Sequence, residues 1–166
     1  RKIILPIIVV YIFILPIFSI FLPLKSFYLK YEFKFKDIVF LWIIGIFNLG
    51  VVVNLFFKTI WGRARPGDIL QLGGRENFTP WFQISDACAN NCSFVSGDAA
   101  VGFSLISFYF LTKKITFFWL SLFFGFGIGL IRIMEGGHFV SDVVMAAMVL
   151  YLSCYFQTKY YFNNYD

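Results

Sequence analysis

The strongest chemical pattern in the sequence surrounds its one histidine, His138. This residue lies six positions after Arg132 and four before Asp142, in the stretch RIMEGGHFVSD. If Asp142 opens a helix, its carboxylate stands one turn from the imidazole and can orient it, as a nucleophile or a general base requires. A buried histidine satisfied by a neighbouring aspartate is the structural alternative. Ionisable residues in so apolar a chain are functional candidates by default, so the pattern favours catalysis.

Two basic side chains, Lys58 and Arg65, form a second pattern at the end of an apolar run. Their separation of seven residues predicts that they share one helix face two turns apart, with Pro66 ending the helix just beyond. Two aligned cations suit an anion with several oxygens, because a guanidinium can bind such an anion through two parallel hydrogen bonds. Taken alone, charges that mark the end of a membrane span are the simpler explanation.

A third pattern consists of Ser96, Gly97 and Asp98, which directly precede another apolar run. The amide groups at a helix start bind anions, and a glycine there lets the anion approach closely. A plain N-cap made by Ser96 or Asp98 is the alternative. Capping accounts for the serine and the aspartate, but it does not require Gly97.

The elements that carry these residues are predicted to be membrane helices. Of the 166 residues, 60% are hydrophobic and 14% are charged, against roughly 45–50% and roughly 25% in soluble domains. We therefore predict an all-α fold, a polytopic membrane helix bundle of about five or at most six transmembrane helices, in a single domain over residues 1–166. The first apolar run is too long for a signal peptide, so we expect it to be retained. The apolar runs that approach the ~20 residues needed to cross a bilayer cover residues 3–24, 38–57, 94–111, 115–131 and 143–156.

Alternation of these helices across the bilayer brings the three polar patterns to one membrane face. The other basic residues are more numerous on the opposite face, which favours a site that faces outward. The net charge of +5 is scattered, so the sequence lacks the clustered basic footprint of nucleic-acid binding. Cys88, Cys92 and Cys154 fit no zinc pattern with a single histidine. A disulfide between Cys88 and Cys92, in an oxidising compartment, and two free thiols are both open.

Together the three patterns are far more specific than any one alone. Lys-x6-Arg-Pro, then Ser-Gly at a helix start, then Arg-x5-His-x3-Asp resembles the type 2 phosphatidic acid phosphatase superfamily, over residues 58–142. That superfamily also includes soluble vanadium haloperoxidases. The resemblance implies that His138 is a nucleophile forming a phosphohistidine and that Asp142 orients it. It also implies no metal and no cofactor, with a phosphate-binding clamp made of Lys58, Arg65, Ser96, Gly97 and Arg132.

Asp98 is the main departure from the family pattern, which has a histidine there to protonate the leaving oxygen. Ile131 also replaces the usual serine before Arg132. A carboxylic acid could donate that proton only with a raised pKa, and three nearby cations predict the opposite shift. As a third catalytic residue, Asp98 could instead act on the attacking water, and capping of the helix is the structural alternative. A proton donor is dispensable where the leaving group is good, as from an anomeric phosphate or a diphosphate.

The sequence around Ser96 is similar to that of a bacterial subset of the superfamily that includes lipid A phosphatases. We therefore predict removal of the 1-phosphate of lipid A at the bacterial inner membrane, with the site facing the periplasm. Arg63, Arg75 and the loop through Trp81 are expected to meet the anionic headgroup. The alternatives are an undecaprenyl diphosphate or phosphatidylglycerophosphate phosphatase, a phosphate-lipid-binding pseudoenzyme, and, last, a transporter or channel subunit. The expected partners are a lipid phosphate and the bilayer, with no nucleic acid; the oligomeric state is left open.

Overall fold

The computed structural model describes residues 35–165, with side chains through residue 163. The described part of the chain is built from helices and loops, so the predicted all-α membrane fold is confirmed. The first apolar run, over residues 3–24, lies outside the described residues. The main helices are α1 (Phe35–Ile60), α2 (Gly97–Thr112), α3 (Ile115–Met134) and α4 (Val140–Tyr165).

Helices α1, α3 and α4 are long and apolar enough to cross a membrane. The middle of α1, Ile46–Phe57, winds as a π-helix. Helix α2 is a shorter apolar helix that is interrupted between Phe103 and Ile106. Helix α2 begins at Gly97, directly after Ser96, whose hydroxyl accepts a hydrogen bond from the amide of Ala99 at 3.4 Å.

The helices pack through small residues and a few apolar side chains. Gly102 of α2 and Gly125 of α3 bring two backbones together, since a Cβ on Gly102 would lie 2.6 Å from the Gly125 nitrogen. The Ser121 hydroxyl of α3 donates to the Phe103 carbonyl of α2 at 2.8 Å at the same crossing. The buried core of the bundle includes Ile44, Val53, Phe94, Val95, Ala99, Ala100, Val143, Ala146 and Leu150.

The outward faces of the long helices are also apolar. Ile43, Leu55, Phe123, Leu130 and Phe156 are each more than half exposed. Such a continuous apolar surface is unfavourable in water and is solvated by lipid chains in a bilayer. The exposed apolar side chains therefore agree with a fold whose outer surface faces lipid rather than water.

A neutral polar cluster joins α1 to α4 in the middle of the bundle. The side-chain oxygen of Asn48 accepts hydrogen bonds from Ser153 at 2.5 Å and Gln157 at 2.9 Å. Its amide nitrogen donates to the sulfur of Cys154 at 3.3 Å. Asn48 is fully buried, and its bonds across the helices meet the need of a polar side chain in an apolar environment.

The long loop over residues 61–96 connects α1 to α2 at one end of the bundle. Two 3-10 turns, Pro66–Asp68 and Leu70–Leu72, shape its first part, and a disulfide joins Cys88 to Cys92 near its end. Gly62 is left-handed with φ +58°, and a Cβ there would lie 1.7 Å from the carbonyl oxygen of Ser85. Glycine is required here because it has no Cβ: it tolerates the left-handed conformation after α1 and leaves room for the Ser85 carbonyl.

Candidate active site

The three polar patterns meet at the end of the bundle where the long loop lies, as the sequence predicted. The amide of Ser96, before α2, donates to the backbone oxygen of Asp142 in α4 at 3.1 Å. Lys58, near the end of α1, lies against Gly97, since a Cβ on that glycine would be 3.2 Å from the Lys58 Nζ. Residues far apart in the chain are thus brought together by the ends of four helices.

Asp142 is fully buried in the first turn of α4 and is held from several sides. Its Oδ2 accepts hydrogen bonds from the Ser93 hydroxyl at 2.5 Å and the Phe139 amide at 2.9 Å. Its Oδ1 forms an ion pair with Arg63. Such a set of donors fixes the position of a carboxylate in an apolar environment.

His138 lies beside this carboxylate and is also buried. Its Nδ1 is 3.8 Å from Asp142 Oδ2, beyond hydrogen-bond length, and neither ring nitrogen is hydrogen bonded to a described residue. Burial lowers the pKa of His138 below its ordinary value, and the positive charges of Lys58 and Arg65 act in the same direction while Asp142 opposes them. A neutral imidazole at physiological pH keeps the lone pair that a nucleophile needs.

Lys58 and Arg65 come together by a different route from the predicted one. The helix ends at Ile60 and Arg65 has extended backbone (φ −80°, ψ 158°), so a shared helix face is wrong. The left-handed Gly62 redirects the chain, and both side chains then contact Asn91 in the loop. Lys58 Nζ donates to the Asn91 side-chain oxygen at 3.1 Å, and Arg65 Nη2 donates to its carbonyl at 2.8 Å.

Arg132 lies in the last turn of α3, on the other side of the site. Its Nε lies 2.6 Å from Asp98 Oδ2, in the first turn of α2, and its Nη1 is paired with Glu135. A Cβ on Gly137 would be 3.0 Å from Arg132 Nη2, so the glycine leaves room for the guanidinium. The carboxylate that replaces the expected histidine is therefore bound to a cation of the predicted clamp.

Ser96 and Gly97 occupy the start of α2 as predicted. The Ser96 hydroxyl serves as the N-cap of this helix, which is the structural alternative considered from the sequence. Asp98 does not cap: it lies in the first helical turn and turns toward Arg132. Within residues 35–165 no group of three histidine, cysteine, aspartate or glutamate side chains could hold a metal ion.

Arg63 is the residue whose place differs most from the sequence interpretation. It was expected to meet a substrate headgroup, and this was wrong: the side chain is 2% exposed and points into the protein toward Asp142. Arg75, in the same loop, is exposed. Sequence reasoning also missed Asn91 and Ser93, because their contacts depend on how the loop folds and no spacing in the chain signals them.

Comparison with known proteins agrees with this geometry. The family described as the PAP2 superfamily matches residues 38–166. A lipid A 4'-phosphatase of Francisella tularensis subsp. novicida is 42% identical over 133 residues, which are 75% of this chain and 58% of the relative. Lipid A 4'-phosphatases of Rhizobium leguminosarum and Rhizobium etli are 33% and 32% identical over 98 residues, 57% of this chain and 42% and 38% of theirs. The chain thus spans about half the length of these relatives. No solved structure matches.

Proposed function

We propose, from the premise that this chain belongs to the PAP2 superfamily, that it is a bacterial membrane phosphatase that releases phosphate from lipid A. The observation that carries the proposal is the convergence of Lys58, Arg65 and Arg132 on the end of the bundle that holds His138. Preorganised cations of this kind stabilise the charge on a phosphoryl group during its transfer.

His138 is suited to attack the phosphorus atom through Nε2, because Nδ1 faces Asp142. In this step the nitrogen–phosphorus bond forms and the bond from phosphorus to the lipid oxygen breaks. Water then cleaves the phosphohistidine and releases inorganic phosphate. The leaving oxygen takes up a proton, and the attacking water gives one up. With Lys58, Arg65 and Arg132 around the phosphate, the proposed chemistry uses no metal, and phosphate release is expected to persist in EDTA.

The position of the phosphate on lipid A is the finer part of the proposal. Three relatives are named lipid A 4'-phosphatases, and on this basis we propose the 4'-phosphate rather than the 1-phosphate that the sequence patterns suggested. One observation favours the 1-phosphate as a second candidate. Asp98 is engaged by Arg132, so it is poorly placed to donate a proton, and an anomeric leaving oxygen needs protonation least.

The proposed location of the site is the periplasmic face of the bacterial inner membrane. The disulfide between Cys88 and Cys92 supports this location, because it lies in the loop on the site side and such bonds persist in oxidising compartments. Arg75 is exposed in the same loop. It is therefore available to contact the headgroup of a large anionic lipid beside the site.

A panel of lipid phosphates tests these proposals. Purified protein in nanodiscs is supplied with lipid A that carries one phosphate, at the 4' or the 1 position, and mass spectrometry follows its loss. We expect release from the 4' species, and His138→Ala serves as the blank. Release from the 1 species alone would favour the second candidate. Release only from undecaprenyl diphosphate or phosphatidylglycerophosphate would contradict lipid A as the substrate. Binding with no release from any lipid would indicate a pseudoenzyme.

A further inference from the structure

We propose that Arg63 is a positioning residue, which holds Asp142 against His138 and moderates the charge that Asp142 presents to the imidazole. The proposal rests on the proposed function for its catalytic consequence, but its structural part concerns the histidine itself. Arg63 belongs neither to the predicted phosphate clamp nor to the predicted catalytic pair, and it lies 79 residues from Asp142 in the chain.

The first support is the burial and saturation of the Arg63 side chain. Its Nε donates to the Thr79 carbonyl at 2.9 Å, and its Nη1 donates to the Ser141 hydroxyl at 2.9 Å as well as to Asp142. The guanidinium carbon lies 4.1 Å from the centre of the Phe139 ring. These contacts fix a planar group in one orientation, which a flexible surface arginine would not show.

The second support is that the two oxygens of the Asp142 carboxylate contact different partners. Oδ1 faces Arg63, while Oδ2 faces the Ser93 hydroxyl, the Phe139 amide and, at 3.8 Å, His138 Nδ1. Arg63 therefore sets the rotation of the carboxylate that places Oδ2 toward the imidazole. Because a displacement of about 1 Å at a reacting group can reduce the rate roughly 10²-fold, this orientation matters for a nucleophile.

The third support is electrostatic. Lys58 of α1 and Arg65 of the loop disfavour a charged His138, and Asp142 of α4 favours it. Arg132 of α3 lies at the same end of the bundle, where it is paired with Asp98 of α2 and with Glu135. Arg63 is paired with Asp142, and its positive charge therefore offsets part of the electrostatic effect of this carboxylate on the imidazole. Removing Arg63 should expose His138 to the full charge of Asp142 and raise the pKa of the imidazole.

The test uses the fact that the chain contains a single histidine. Protein labelled with ¹⁵N-histidine and prepared without a histidine tag gives one imidazole, whose titration is followed by NMR in nanodiscs. We expect Arg63→Met to move this titration to higher pH and Arg63→Lys, which restores a point charge, to return it toward the wild-type value. An unchanged titration in Arg63→Met would overturn the proposal.

A matched control variant, Asn48→Ala, distinguishes a positioning role of Arg63 from a purely structural one. Asn48 is equally buried and hydrogen bonded between helices, but it lies ten residues before Lys58 in α1, in the middle of the bundle. Asn48→Ala should lower the thermal unfolding temperature without moving the histidine titration. If Asn48→Ala moves the titration as far as Arg63→Met does, the shift reports loosened packing and the proposal is wrong.

A double-variant cycle shows whether Arg63 acts through Asp142. Arg63→Met with Asp142→Asn removes both buried charges, so it avoids the unpaired charge that could prevent the single variant from folding. We expect its histidine titration to match that of Asp142→Asn alone. A further shift of the same size as in Arg63→Met would mean that Arg63 acts on His138 directly, and the positioning role would be rejected.

Kinetics supply the catalytic readout. In Arg63→Met we expect kcat for the lipid substrate to fall roughly 10²-fold, while KM changes within about twofold because the phosphate clamp is intact. A rise in KM at constant kcat would instead make Arg63 a substrate-binding residue. Wild-type protein that releases no phosphate from any lipid would contradict the proposed function, and the histidine titrations would still decide the role of Arg63.

Discussion

In the described part of the chain, the Asn48 cluster and the Asp142 cluster both connect α4 to the rest of the bundle, and they differ in charge and in the completeness of their hydrogen bonding. The Asn48 cluster is neutral, and its amide is hydrogen bonded to Ser153, Gln157 and Cys154. The Asp142 cluster contains an ion pair with Arg63, and it includes an imidazole whose nitrogens make no hydrogen bond to a described residue. Polar groups that are completely bonded stabilise helix packing. A buried histidine without hydrogen bonds destabilises the folded state. This cost is expected at a ring nitrogen that has to stay available for reaction, as the proposed mechanism requires.

Because the Asp142 cluster contains the proposed nucleophile and the Asn48 cluster does not, we expect the largest loss of activity from His138→Ala. Turnover should fall by roughly 10⁶-fold, as it does when the nucleophile is removed from a well-studied hydrolase. Binding of the lipid phosphate should persist, since Lys58, Arg65 and Arg132 are unchanged. Phosphate release and lipid binding are measured on the same preparation. Substantial residual turnover would contradict the nucleophilic role.

Asp142→Asn is expected to reduce kcat by roughly 10⁴-fold, because the imidazole loses its orienting anion. This variant also leaves Arg63 buried without its counterion, which should lower the stability by about 3–5 kcal/mol. Chemical and thermal unfolding in nanodiscs, beside steady-state kinetics, separate the two effects. Normal stability with normal kcat would contradict both the cost of leaving Arg63 unpaired and the orienting role of Asp142.

Asp98→Asn should cost only about tenfold in kcat, below the roughly 10²–10⁴-fold typical of a general acid or base. The structure gives the reason, since the Asp98 carboxylate is paired with Arg132 and is therefore poorly placed to act as a proton donor. Comparison of the two lipid A monophosphates sharpens the result. A loss over the full range on the 4' species, with an altered alkaline limb of the pH profile, would identify Asp98 as the proton donor.

Asn48→Ala is expected to destabilise the protein by about 1–3 kcal/mol, because Ser153 and Gln157 lose a buried partner. The kcat should stay within about twofold of wild type, since the cluster lies away from the site. Thermal unfolding and phosphate release are compared in the same nanodiscs. A large loss of kcat with unchanged stability would mean that the neutral cluster takes part in the function.

The smallest expected effect is a dependence of stability on pH. Burial lowers the pKa of His138 in the folded protein, so the unfolded chain binds a proton first as the pH falls below about 6.5. Stability is therefore fully present above that pH and declines in acid until the folded imidazole is also protonated. Unfolding temperatures of wild type and His138→Ala, measured from pH 7.5 to pH 5, should diverge in this direction. Parallel curves would contradict the lowered pKa.

Much of the fold and of the site could be read from the sequence. The apolar runs at 38–57, 115–131 and 143–156 became long membrane helices, because hydrophobic length is a local property of the chain. The resemblance to the phosphatase superfamily is confirmed. The roles of His138, Asp142 and the clamp residues stay predictions, although the structure does bring these residues together. The preference for the 1-phosphate rested on the chemistry of the leaving group, and the named relatives point to the 4' position instead.

The sequence by itself determined the membrane helices and the polar residues at their ends, since both depend on composition and on spacing within a few turns. Only the tertiary structure decided which charges are paired. Arg63 looked like a loop arginine beside Arg65, but the turn at Gly62 and the contacts of the loop bury it against Asp142. Asp98 was predicted as a third catalytic residue, with capping of the helix as the alternative, and the packing of α2 against α3 pairs it with Arg132. Ion pairs between distant residues depend on where the loops and helix ends meet, and spacing along the chain carries no information about that.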